Sequence, residues 1–297
     1  MSRLVCYIPS YNDSPFVAES LASSPDWEVV ISDNASDEPH ASALAAMAGP
    51  RVQVVRQEKS LGRVGNWKFC VEHFVASGAD WMKFMMAGDL HKPGSCDMFR
   101  RAIDRCPDVR TIVPRIENVF PHRRIDFRPT AAETVVSPAQ AMAMIVQYGN
   151  IFHGLSGPLV HVDAVKDGFA FGEEVLSFCA DLLFMLRVAR KLPTLFITEV
   201  TAEFIAERRK GMLAGINTLE HYLEEALVRL RAADAYLALT GDRQRRHQMV
   251  ASIVDMVRKD TSEPLDKLSG DSRYTAEELT KPAPRPELPP VRYRPGE

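Results

Sequence analysis

The stretch VCYIPSYNDSPF, residues 5–16, joins two kinds of chain within one short run. Leu4, Val5, Cys6, Tyr7 and Ile8 are the branched and aromatic residues of a buried strand, whereas Pro9 lacks the backbone donor that a central ladder requires, so the strand is expected to end there. Asn12, Asp13 and Ser14 are all competent N-caps, Pro15 suits a first helical position, and Phe16, Val17 and Leu21 can begin an apolar helix face. Strand, polar loop and helix follow one another. In open α/β sheets the loops at the carboxyl ends of strands are where ligands sit.

The unit repeats along the first third of the chain. Apolar strand candidates fall at Leu4–Ile8, Trp27–Ser32, Val52–Arg56, Trp81–Met86 and Thr111–Pro114, with helical stretches between several of them. That alternation predicts an α/β fold with a mostly parallel sheet flanked by helices. Beyond Pro114 the pattern turns irregular until a helix expected over Pro138–Tyr148. In SFCADLLFMLRVARK, residues 177–191, Phe178, Leu182, Met185, Leu186 and Ala189 recur at helical spacing and Asp181 falls inside their arc. Amphipathic helices are expected over Asn217–Leu239 and Gln248–Val257, available to pack on the sheet or on a second subunit. The run KPAPRPELPPVRYRPGE, residues 281–297, is too rich in proline for helix or central strand. The expected organisation is a first subdomain over 1–113, a second over 114–212, a helical extension over 213–262 and an extended tail over 263–297.

Composition narrows the function classes. With 297 residues, 46% hydrophobic and 25% charged, the chain can bury one large core or two smaller ones. A formal charge of −3 gives no general attraction to nucleic acid, so any anion must be met locally. No apolar run reaches the length of a membrane span, and the first residues lead into a strand rather than a signal peptide, which predicts a cytoplasmic location. Cys6, Cys70, Cys96, Cys106 and Cys179 have no CxxC spacing and read as reduced structural thiols.

Four strand ends carry the chemistry. EVVISDNASDE, residues 28–38, sets Asp33 directly after a strand, where a carboxylate can accept from a base imide or a ribose hydroxyl; equally, Asp33, Asn34 and Asp37 can simply cap a helix. RQEKSLGRVGNWKFC, residues 56–70, offers Gly62 for close backbone approach to a phosphate at a helix N-terminus, with Arg63 nearby, and Asn66 either at the nucleotide or tying two loops together. WMKFMMAGDLHKPG, residues 81–94, ends an apolar strand in Gly88 and Asp89, with His91 two residues on; a diphosphate-bound divalent cation needs only one or two such carboxylates, and a turn before Pro93 needs one as well.

Taken in order, IPSYN, ISDNASD, SLGRVGN and AGDLHKPG resemble the family 2 glycosyltransferases of the GT-A fold, over roughly residues 3–210. The resemblance implies a Rossmann-like nucleotide-binding sheet with a C-terminal helical extension. Pro9, Ser10, Tyr11 and Asn12 would line the nucleotide pocket with Arg63, Asn66 and Gly88, and Asp33 would receive the base. Asp89 would take the last position of a metal motif for Mn²⁺ or Mg²⁺. Two positions earlier the family usually has another acidic residue; here it is Ala87, which leaves weaker binding, recruitment of His91, or no metal. GLSGPLVHVDAV, residues 154–165, resembles the acceptor-side segment, and Asp181 matches the Asp of a Glu-Asp helix that serves as general base, with Ala180 in place of the Glu. A carboxylate on an apolar stripe is costly unless capped or used, which agrees. EFIAERRKG, residues 203–211, occupies a segment whose basic residues reach the diphosphate, so Arg208 or Arg209 is a candidate, with surface arginine as the alternative.

The implied activity is inverting transfer from a nucleoside diphosphate sugar to a hydroxyl on a saccharide, lipid-linked or small-molecule acceptor. Family members with GNW after the glycine loop often build surface polysaccharides, so the resemblance implies bacterial surface polysaccharide or glycoconjugate synthesis, peripheral to the inner face of the membrane. The C-terminal helices are available for a homo-oligomer. A non-catalytic nucleotide-sugar-binding protein on the same fold is the alternative, favoured by Ala87 and Ala180. A dinucleotide-dependent oxidoreductase lacks its GxGxxG after strand one, and a sugar nucleotidyltransferase its Gly-rich basic loop.

Overall fold

The structure is a computed structural model that describes residues 2–120, 123–127, 130, 132–166, 176, 178–205 and 219–262. Its strands are β1 (Leu4–Ser10), β2 (Glu28–Asp33), β3 (Val52–Arg56), β4 (Trp81–Phe84), β5 (Leu90–His91), β6 (Thr111–Phe120), β7 (Arg123–Phe127), β8 (Thr134–Val136), β9 (Leu159–His161) and β10 (Thr194–Ile205). The helices are α1 (Ser14–Ala22), α2 (His40–Ala45), α3 (Gly62–Ala76), α4 (Ser95–Arg105), α5 (Pro138–Tyr148), α6 (Ala180–Ala189), α7 (Leu219–Thr240) and α8 (Arg243–Ser262). One sheet runs in the order β3-β2-β1-β4-β9-β6-β10-β5, with β7 on β6 and β8 on β10.

β1, β2, β3 and β4 are mutually parallel, as are β6 and β10; β9 joins the two sets antiparallel to both β4 and β6. All residues of β1 are buried, as a strand covered by helices on both faces requires. Its side chains divide by the strand period of two. Leu4, Cys6 and Ile8 join the core under α1, α2 and α4, while Val5 and Tyr7 join the larger core built with α3, α5, α6, α7 and α8. The C-terminal helices therefore complete one of the two hydrophobic layers. α5 begins where expected because Ser137 and Gln140 form a reciprocal capping box ahead of Pro138.

Pro9 does not end β1. The strand continues through Pro9 and Ser10, paired with Ser32 and Asp33 of β2. The carbonyl of Tyr7 accepts from Met85 N–H on the β4 side and that of Ser10 accepts from Asn34 N–H on the β2 side. By alternation, the donor that Pro9 lacks would point toward β4, whose pairing has already stopped at Phe84. β6 runs six residues past Pro114, and β5 and β7 to β10 are additional to the strands expected; β5 has two residues and β8 and β9 three each, too few to display a period. The cysteines are free thiols, as expected. The expected tail over 263–297 lies outside the described residues. Among the described residues no helix is long and apolar enough to cross a membrane.

Candidate active site

The carboxyl ends of three parallel strands put Ser10, Asp33 and Arg56 in one row, because these are paired residues in register. Asp33 is 1% exposed. Its Oδ1 accepts from Ser36 N–H at 2.9 Å, and its Oδ2 accepts from Arg56 Nη1 at 2.6 Å. Arg56 Nη2 also donates to the Ser36 carbonyl at 2.8 Å, which closes the ring. Beside it the buried Ser10 hydroxyl makes no hydrogen bond among the described residues. An orphaned buried hydroxyl is uncommon and calls for a partner. Tyr11, at 48% exposed, presents an open ring next to it.

The loops behind this row are tied to one another. Asn12 exchanges hydrogen bonds with Asp37, and its N–H donates to Ser36 Oγ at 2.9 Å. Asn34 Oδ1 accepts from Leu61 N–H at 2.8 Å, holding the turn that opens α3 against the end of β2. Asn66 Oδ1 accepts from Ser32 Oγ at 2.6 Å and its amide donates to the Ser32 carbonyl, so this side chain fastens α3 to β2. Arg63 lies over the Trp67 ring, 5.2 Å from its centroid.

The end of β4 is built differently. Gly88, with φ 92, donates its N–H to Ser20 Oγ, and that hydroxyl donates to the carbonyl of Asp89 at 2.8 Å. The Asp89 carboxylate accepts from Ser156 Oγ at 2.6 Å. Ser156 also accepts from Met86 N–H at 3.0 Å, and its carbonyl accepts from Lys83 Nζ, which donates to Gly157 O at 3.0 Å as well. Gly157 is required here: a Cβ would stand 2.5 Å from the Phe152 carbonyl. Lys83 is fully buried, and burial pushes its ammonium down to about 8. His91 lies in other company. Its Nδ1 is 2.8 Å from Ser24 Oγ, its ring is stacked on Trp27 at 5.0 Å, and burial holds it well below the ordinary imidazole range.

Among the described residues no three His, Cys, Asp or Glu side chains gather as metal ligands. In the turn between β4 and β5, Asp89 supplies a hard oxygen. A Mg²⁺-type ion takes one or two protein carboxylates together with phosphate oxygens, so this donor set fits a divalent cation in the company of a diphosphate.

Asp181 stands in the first turn of α6, which shares a core layer with α3, and is half-buried. Its Oδ1 accepts from Leu182 N–H at 2.8 Å and its Oδ2 from Asn150 Nδ2 at 3.3 Å. Gly154, at φ 68, leans so close that a Cβ would sit 3.3 Å from Oδ2. Burial pushes the Asp181 carboxyl up from its usual range, against the opposing pull of the Leu182 N–H, Arg63 and Asn150. Arg63, at the start of α3, therefore acts electrostatically on Asp181. Arg208 and Arg209 lie outside the described residues.

Arg56, Lys83, Asn150 and Ser156 were not singled out by sequence. Lys83 carried a signal, being a charge inside an apolar strand, and Arg56 is the last residue of its strand; Asn150 and Ser156 carried none.

The sequence profile of glycosyl transferase family 2 matches residues 6–155, half of the chain, and the protein belongs to that family. Among solved structures it is similar to S. aureus TarS 1-349, with 14% identity, a TM-score of 0.64, and coverage of 91% of this chain and 75% of that one. The complex of TarS 1-349 with UDP gives 13% identity and a TM-score of 0.65 over 91% and 75%. The complex with UDP-GlcNAc gives 14% and 0.67 over 89% and 77%. The fold is that of a GT-A glycosyltransferase, a Rossmann-like, mostly parallel sheet flanked by helices with C-terminal helices added. No match was found among curated proteins.

Proposed function

We propose that the protein transfers a sugar, with inversion, from a nucleoside diphosphate sugar to a hydroxyl group. The observation that carries this reading is Asp181: a half-buried carboxylate with raised proton affinity, Asn150 and Gly154 against it, and the charge of Arg63 within reach. The acceptor hydroxyl gives its proton to Asp181 as its oxygen forms a bond to the anomeric carbon. The bond from that carbon to the diphosphate breaks, and its electron pair leaves with the diphosphate. Raised basicity in a desolvated carboxylate favours this role over simple capping.

On the donor side, Asp33 with Arg56, the free-standing Ser10 hydroxyl and the open Tyr11 ring suit a base and ribose, and Arg63 at the N-terminus of α3 suits phosphate. The UDP and UDP-GlcNAc complexes of TarS support a nucleotide-sugar donor and make a hexosamine-type sugar a reasonable cargo. Asp89 would hold Mn²⁺ or Mg²⁺ with the diphosphate, and the ion supplies positive charge to the departing group. Pro9, Asn12, Asn66 and Gly88 support these side chains rather than touch the ligand, and His91 buttresses the β4 end from the core. Bacterial surface polysaccharide or glycoconjugate is the acceptor class we favour.

Asp181→Asn tests the reading. It preserves size and the hydrogen bond to Leu182, so nucleotide binding measured calorimetrically should persist while transfer falls about 10²–10⁴-fold. A folded variant that binds donor and transfers at the wild-type rate would return the chain to the class of non-catalytic nucleotide-sugar binders.

A further inference from the structure

α6 begins without a side-chain cap of its own: its N-cap residue is Cys179, which supplies none. The cap comes from α7. Glu224 Oε2 accepts from both Phe178 N–H at 2.7 Å and Cys179 N–H at 2.9 Å, from 46 and 45 residues away in sequence. Five residues further along α7, Arg229 Nη1 donates to the Val146 carbonyl in the last turn of α5 at 2.7 Å, while Glu225 accepts from the Arg229 Nε at 3.1 Å. α5 ends at Gly149, whose Cα stands so close to this pair that a Cβ would lie 2.4 Å from Glu225 Oε1. The next residue is Asn150, which donates to Asp181. α7 thus lays an anion on the N-terminus of one helix and a cation on the C-terminus of another, each the favourable sign for its helix dipole.

We infer that Glu224 and Arg229 are positioning residues for Asp181, clamping the two helix ends that flank it and setting its proton affinity through charges of opposite sign. The inference rests on the proposal that Asp181 is the general base only for its catalytic meaning; the geometry stands apart from it. An anion on the α6 N-terminus offsets the positive end of that helix, which would otherwise favour ionised Asp181. Asp181 itself is faced by Arg63 from α3 and by Asn150 after α5; the charges of Glu224, Glu225 and Arg229 on α7 meet Cys179, which begins α6 two residues before it.

The test needs no substrate. The full chain is labelled with ¹³Cγ-aspartate, the Asp181 resonance is identified by its loss in Asp181→Asn, and its titration midpoint is read in variants. Glu224→Gln keeps an oxygen for both N–H groups but removes the charge, so the midpoint should fall by about half a pH unit, the size of a helix-terminus charge effect. Glu224→Asp, which keeps the charge, should leave it near wild type. Arg229→Gln removes a cation and releases the Glu225 carboxylate, so the midpoint should rise. Should one of the two neutral variants fail to fold, the other carries the test alone. A midpoint unmoved by both neutral variants, or moved by both in the same direction, overturns the inference. The midpoint is independent of transfer, so these results remain valid even if Asp181→Asn keeps full activity and removes Asp181 from the chemistry.

Discussion

Between β1 and β4 the candidate site is held by neighbours: Asp33 bonds to Arg56 one strand away, Asn66 to Ser32, and Asn34 to the turn that opens α3. Around Asp181 the partners arrive from Arg63, Asn150, Gly154 and, through the end of α6, Glu224. The proposed donor half is a set of adjacent strand ends whose side chains are within reach as soon as the parallel sheet forms. The proposed acceptor half exists only when separate helices have docked. It follows that damage to the donor half should be local and damage to the acceptor half shared.

The sharpest break in this contrast is expected at Asp89, whose carboxylate is held by Ser156 from the loop before β9. Asp89→Ala should remove any dependence on Mn²⁺ or Mg²⁺ and lower transfer about 10²-fold, the order of one lost electrostatic contribution to the leaving group. Undiminished wild-type activity in EDTA would show that the ion has no part in the step. Asp33→Ala should be milder and confined to the donor half. Nucleoside diphosphate binding should weaken by about 1–3 kcal/mol, the cost of leaving polar partners unpaired, and titration calorimetry would detect it. Equal affinity in a folded Asp33→Ala protein would mean that the Asp33–Arg56 ring serves only the fold.

A further effect is expected on stability, at Lys83, which ties β4 to the loop bearing Ser156 and Gly157. Burial lowers its ammonium to about 8 from 10.5. Between those values the unfolded chain binds a proton that the folded chain does not, so stability rises with pH across that window and is lost as pH falls toward 8. Urea denaturation of the wild type should therefore gain on Lys83→Met from pH 8 toward 10.5. A pH-independent difference would show that Lys83 stays charged throughout, held by the carbonyls of Ser156 and Gly157.

Much of the donor half was legible because the sequence writes it locally. β3 and α5 have the bounds that period and capping signals give, and Asp33 ends β2 as its position after an apolar run implies, whereas β4 stops at Phe84, short of the expected Met86, and leaves Asp89 in the turn before β5. Pro9 misled because a missing donor matters only on the side where a neighbour is still pairing. His91 lies two residues from Asp89 in sequence, but a β-strand turns a ring by its register, and here the ring meets Trp27. Ser156 and Glu224 were illegible for a common reason: a serine in a loop and one glutamate among many on a helix have ordinary local surroundings, and only distant docking gives them work.

Cys179 sits under α7, 5% exposed, with its Sγ 4.0 Å from the His221 carbonyl and its thiol pushed up by burial and the nearby carboxylates. Such a sulfur is inert while the helix is seated and becomes an ordinary nucleophile when the helix lifts. The chain thus carries its own chemical clock: the rate at which a thiol reagent captures Cys179 counts the openings of α7 from α6, in the folded protein and without an added label.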